Sequence, residues 1–128
     1  MALNTSVVMD ELKTLDEALK QLIGEQLSSV EFVQDYLQLR FDGPCLNVYS
    51  GVHRVTSNLS SLVWGQPCYR DALCSLISRK VKKAEVLSDE RISFIFDDES
   101  VWSMSFRKED YRGPEAFEFR AGMLSFVG

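Results

Sequence analysis

A chain of 128 residues with 14 basic and 19 acidic side chains carries a formal charge of −5. That balance argues against a dedicated nucleic-acid binder, which needs a basic footprint, and no run approaches the roughly 20 apolar residues of a membrane span. Hydrophobic residues at 45% and aromatics at 11% suffice for one globular domain over 1–128.

The N-terminus, MALNTSVVMDELK, lacks a basic stretch followed by an apolar core, so no signal peptide is expected and the cytoplasm is the expected compartment. Thr14-Leu15-Asp16-Glu17 reads as a capping box, in which the Thr hydroxyl and the Glu carboxylate satisfy orphan N–H groups. Leu15, Leu19, Leu22 and Ile23 follow at helical spacing, and Gly24 suits a left-handed helix end. Val8 and Leu12 extend the stripe back toward Thr5 or Ser6. The period then changes from 3.6 to 2. Val30 and Phe32 alternate with polar neighbours, Gln34-Asp35 offers a turn, and Leu37, Leu39 and Phe41 alternate again. Asp42-Gly43 is a strong hairpin signal, and Leu46 and Val48 carry a third strand.

Residues 51–67 read as a connector rich in Ser, Gly and Asn. It is long for a structureless link, so part of it is expected to form a strand or a functional loop. Pro67 then precedes a second helical stripe of Tyr69, Leu73, Leu76 and Ile77. Further strands centre on Ala84–Leu87, Ile92–Phe96 and Val101–Phe106, with turns at Ser88-Asp89-Glu90 and Asp97-Asp98-Glu99-Ser100. In the region 111–128, Gly113-Pro114 marks a turn, Ala116-Phe117-Glu118-Phe119 alternates as a short strand, and the closing GMLSFVG is apolar.

A weak internal repeat organises these elements. Residues 18–35 lie over 72–89 at an offset of 54 without a gap, and six of the 18 positions are identical. The repeat extends over 14–50 and 68–106. Each copy reads as a helix followed by a three-stranded meander. The fold expected is therefore α+β: two α-β-β-β repeats forming an antiparallel sheet covered on one face by two helices.

Candidate chemistry is sparse. The three cysteines, Cys45, Cys68 and Cys74, have neither the even count of a disulfide framework nor zinc-ligand spacing, and they read as free thiols. His53 is the only histidine, which excludes multi-histidine metal sites, and beside Arg54 in a connector it reads as a surface residue. A Cys nucleophile would need His53 beside it. Phosphate-cradling loops and nucleophile elbows are absent from the sequence. Asp97, Asp98 and Glu99 lack the spacing of a calcium loop and read as a solvated turn. No catalytic residue, metal or cofactor is assigned.

Charge is the remaining pointer. Residues 1–64 carry a net −4 and residues 65–128 a net −1. Arg79, Lys80, Lys82 and Lys83 form a basic run expected at the C-terminal end of the second helix, where it would complement the macrodipole. Asp10, Glu11, Asp16 and Glu17 make an acidic face, and Asp97, Asp98 and Glu99 a second acidic set. In this small, acidic, motif-poor character the chain resembles bacterial immunity proteins. That resemblance implies a non-enzymatic protein that binds and inhibits a cognate toxin, with these seven carboxylates as partner-binding residues facing a basic toxin domain. The alternative is a small-ligand or regulatory binding domain with the connector lining its cleft. The apolar tail also leaves homo-oligomerisation through paired sheet edges open.

Overall fold

A computed structural model describes the backbone of residues 5–128 and the side chains of residues 11–128. The first apolar stripe forms helix α1, Thr5–Leu19, which runs into a 3-10 turn at Lys20–Leu22. Thr14 therefore lies inside the helix and not at its start. Glu17 is turned to Lys20, with its Oε1 2.9 Å from Nζ. Alternation then lays down β1 (Leu27–Val33), β2 (Tyr36–Phe41) and β3 (Cys45–Val48), followed by a hairpin of β4 (His53–Thr56) and β5 (Ser61–Val63). The same succession follows a second time. It comprises α2 (Tyr69–Cys74), β6 (Val81–Leu87), β7 (Arg91–Phe96), β8 (Val101–Ser105) and a hairpin of β9 (Phe117–Ala121) and β10 (Leu124–Val127).

These strands form two antiparallel five-stranded sheets, ordered β1-β2-β3-β9-β10 and β6-β7-β8-β4-β5. Each sheet takes three strands from one half of the chain and its closing hairpin from the other. The registers match: β3 pairs with β9 from Cys45–Arg120 to Val48–Phe117, and β8 pairs with β4 from Val101–Thr56 to Met104–His53. Even the irregularities correspond, since β1 slips register between Leu27 and Ser29 and β6 between Val81 and Lys83.

The α+β arrangement expected from sequence, with two helices covering one sheet, is overturned by this topology. The connector and the tail each supply two strands, so every meander is widened to five. What buries each sheet's apolar face is one core shared by both sheets, with Phe41 of β2 meeting Phe94 of β7 edge-on at 5.9 Å. The second helix is only six residues long, because the chain turns at Ser75–Ser78 and re-enters extended backbone. The basic run therefore straddles the start of β6, with Arg79 and Lys80 before it and Lys82 and Lys83 within it, away from a helix end. No helix among the described residues is long and apolar enough to cross a membrane.

The two halves are clasped by reciprocal backbone hydrogen bonds. Gly24 N–H donates to Val81 C=O at 2.8 Å, and Ser78 N–H donates to Leu27 C=O at 2.8 Å. Leu27 N–H donates to Arg79 C=O at 3.0 Å, and Val81 N–H to Glu25 C=O at 2.9 Å. Each pair maps onto the other by the offset of 54. Gly24 and Ser78, equivalent positions, both have left-handed backbone, with φ of 86° and 78°.

Glycine adopts that conformation without penalty, whereas serine is strained in it. A Cβ at Gly24 would meet nothing within 4 Å, so the cost of adding one is a backbone cost alone. Gly24→Ala is expected to destabilise by about 1 kcal/mol, whereas Ser78→Gly gains about 0.5 kcal/mol. Paired urea denaturation curves check both signs.

Candidate functional site

The acidic residues singled out by sequence do not form one face. Asp97, Asp98 and Glu99 occupy the β7–β8 turn, where the basic run meets them. Arg79 lies 3.9 Å from Asp97 and 3.7 Å from Asp98, Lys82 lies 2.5 Å from Glu99, and the Lys80 N–H donates to Asp97. This set is largely neutralised within the fold. Asp16 and Glu17 stand at the other end of β6, on α1. Lys82 and Val86 mark the two ends, four residues apart on the strand, or about 13 Å. Glu11 is exposed on the same helix, and the Asp10 side chain lies outside the described residues.

Asp16 has a structural duty. Its Oδ1 accepts the N–H of Val86 at 2.8 Å, which ties α1 to the edge strand β6 and occupies a donor that a foreign strand could otherwise pair with. Beside this tie runs a groove of about 620 Å³ between α1 and β6. Leu12, Val86 and Leu87 give it apolar walls, and Asp16, Glu17 and Glu85 give it a negative rim with Lys13 as counterpoint. Glu17 is half-neutralised by Lys20, and Lys83 lies 3.5 Å from Glu85. Such exposed pairs are weak and give way readily to a partner's cation. Glu85, Val86 and Leu87 were not singled out by sequence. Their signal was available only once β6 was known to be an edge strand.

His53 is not the surface residue its setting suggested. It lies on β4 and is buried at 2% exposure, and its Nδ1 pairs with the Tyr69 hydroxyl. Trp102 donates Nε1–H to the same hydroxyl at 3.3 Å, so the Tyr69 proton is directed to His53 and the imidazole carries its own proton on Nε2. The rings of Trp64 and Tyr69 stand 5.1 and 5.2 Å from that of His53. Burial, with the charge of Arg112 added, lowers the His53 pKa from 6.5 to about 3, and burial raises that of Tyr69. The histidine is a neutral core residue, held among aromatic rings and not beside a thiol. Cys68 and Cys74 are exposed, and Cys45 is partly buried on the other sheet, where desolvation pushes its thiol pKa up.

No known family, curated protein or solved structure matches this chain. Its site is therefore read from its own geometry. Among the cavities lined by the described residues, two bring several charged side chains from different elements together: the acidic groove along α1, and a bowl on the outer face of the second sheet. The groove holds Asp16 and Glu17, with Glu11 exposed farther along the helix; the bowl holds none of the seven carboxylates nominated by sequence, and His53 and Arg54 of β4 border it.

The His53 network makes stability depend on pH. Its folded pKa lies below its unfolded value, so the unfolded chain binds the proton first. The full contribution is present above pH 6.5 and is lost at up to about 1.4 kcal/mol per unit as pH falls toward 3. His53→Phe, which places at this position the side chain found at the equivalent Phe117, is expected to flatten that part of the profile. Denaturation midpoints at pH 7, 6, 5 and 4 for both proteins read the difference.

Proposed function

We propose that this chain is a non-enzymatic protein-binding domain whose partner presents a basic surface to α1 and the outer edge of β6. The observation that carries the reading is the groove described above, in which carboxylates from a helix and an adjacent edge strand surround an apolar floor. An apolar floor with a charged rim is the anatomy of a protein interface: the floor supplies affinity, and the rim supplies orientation and rate. Because Asp16 already occupies the Val86 N–H, the partner docks by side chains and not by adding a strand at that point. The committed, neutral state of His53 supports a role in the core over one in acid–base chemistry.

The mode of action that fits is stoichiometric occlusion of a basic protein, as a bacterial immunity protein does to its toxin. Carboxylates on the inhibitor then occupy positions where a cationic partner would hold an anion, and the acidic chain is steered to it at long range. Of the residues nominated from sequence, Glu11, Asp16 and Glu17 belong to this reading. Asp97, Asp98 and Glu99, paired with the basic run, contribute to the fold's own electrostatics.

The natural probe is the product of the reading frame adjacent to this gene in its host. A one-to-one complex with that protein is expected, forming more slowly as salt rises. The triple reversal Glu11→Lys, Glu17→Lys, Glu85→Lys is expected to reduce its association rate by at least about tenfold. Absence of any complex, or an association rate indifferent to both salt and reversal, contradicts the proposal.

A further inference from the structure

The outer face of the second sheet carries a bowl of about 280 Å³ to which the groove makes no contribution. Three arginines from three strand contexts border it: Arg54 on β4, Arg91 at the start of β7 and Arg107 just after β8. The floor is Ser103 and Ser105 of β8. Strand register dictates the convergence, since Arg54 pairs directly with Ser103 and Arg91 directly with Ser105. Alternation places Ser103 and Ser105 on one face, and Arg107 borders it from extended backbone just beyond the strand. The two arginines thus stand diagonally across β8, with the hydroxyls between them.

Each guanidinium is held but not consumed. Arg54 NH1 donates to Ser61 Oγ at 2.6 Å, Arg91 Nε to Asp89 at 2.7 Å, and Arg107 Nε to the Asp89 carbonyl at 3.2 Å. Arg107 NH1 also lies 3.7 Å from Glu109. At least one nitrogen on each arginine remains without a protein partner among the described residues. Ser105 donates its hydroxyl to Asp110, which fixes the carboxylate at the wall. Ser103 is 8% exposed, and its hydroxyl makes no hydrogen bond to the described residues. Among the described residues no fully buried side-chain polar atom lacks a partner, so this hydroxyl must open onto the bowl.

We infer that this bowl binds a small phosphate monoester, with its phosphoryl oxygens among Arg54, Arg91, Arg107 and the Ser103 hydroxyl. Three cationic forks stand against the wall carboxylates Asp89 and Asp110 and the Glu109 paired with Arg107, so the bowl is about neutral on a chain of net charge −5, with its arginine donors turned to one place. Arginine suits phosphate because its planar donors take two oxygens at once. A bowl this size equals roughly nine waters of liquid volume, more than a bare phosphate fills. A small organic body attached to the phosphoryl group is therefore the better fit.

Calorimetric titration of the full chain with O-phosphoserine, inorganic phosphate and serine, at ionic strength matched with chloride, tests this directly. Saturable one-to-one binding of phosphoserine is expected, with weaker binding of inorganic phosphate and none of serine. Arg91→Gln and Arg107→Gln should each weaken phosphoserine by about tenfold, the loss of one charge-assisted bond, and Ser103→Ala should weaken it by a smaller factor. Asp110→Asn keeps the acceptor for Ser105 and removes a negative charge, so it should tighten binding several-fold. That gain cannot arise from misfolding. Inorganic phosphate binding as tightly as phosphoserine would assign the bowl to the free ion and overturn the monoester. No saturable binding, or binding unchanged by both arginine variants and Asp110→Asn, overturns the site altogether. The titration needs no protein partner, so its outcome is independent of the proposed complex.

Discussion

Four backbone hydrogen bonds between residues 24–27 and 78–81 constrain the rest of the molecule. They join the starts of β1 and β6, the edge strands of the two sheets, and they do so reciprocally. Once these strands are joined, each meander grows away from the clasp, and each must close with a hairpin that the opposite half supplies. Neither half can complete a sheet alone. The single core containing Leu19, Leu22, Leu73 and Leu76, with inward residues of both sheets, is the energetic expression of that exchange.

A shared frame makes the differences between halves informative. His53 on β4 corresponds in register to Phe117 on β9, Tyr69 to Leu15 and Trp102 to Leu46. Trp64 corresponds to Gly128, since each donates its N–H to the carbonyl of the residue at that shared position, His53 or Phe117. Around the second sheet these places hold a hydrogen-bonded aromatic network contributed by both halves, and around the first sheet they hold Phe117, Leu15, Leu46 and Gly128. Outside the core the divergence is electrostatic. Asp16 caps the β6 edge, whereas its counterpart Arg70 lies over the rings of Phe32 and Trp64 at 5.1 and 5.5 Å. One frame thus presents an acidic groove beside one helix and a cation stacked on aromatics beside the other.

Much of the local structure is legible in sequence because period-2 alternation is strong where one face is buried, as in Leu37-Gln38-Leu39-Arg40-Phe41. The architecture is not. His53-Arg54-Val55-Thr56 alternates too, but over four residues flanked by Ser and Gly it looks like a link. The decisive fact, which strand neighbours which, is a long-range pairing with no local signature. For the same reason sequence could name Asp16 and Glu17 but not Glu85, and could not bring Arg54, Arg91 and Arg107 together. It also could not foresee that Asp97, Asp98 and Glu99 would meet Arg79 and Lys82, because their partners lie 17 or more residues away.

The clasp makes two exchanged halves one cooperative unit. Native-state hydrogen exchange at the amides of Gly24, Leu27, Ser78 and Val81 reads it most directly. All four are expected to exchange with one common free energy, equal to that of global unfolding. Exchange of the Gly24 and Leu27 pair at a free energy well below that of the Ser78 and Val81 pair would show the halves opening independently and would contradict it.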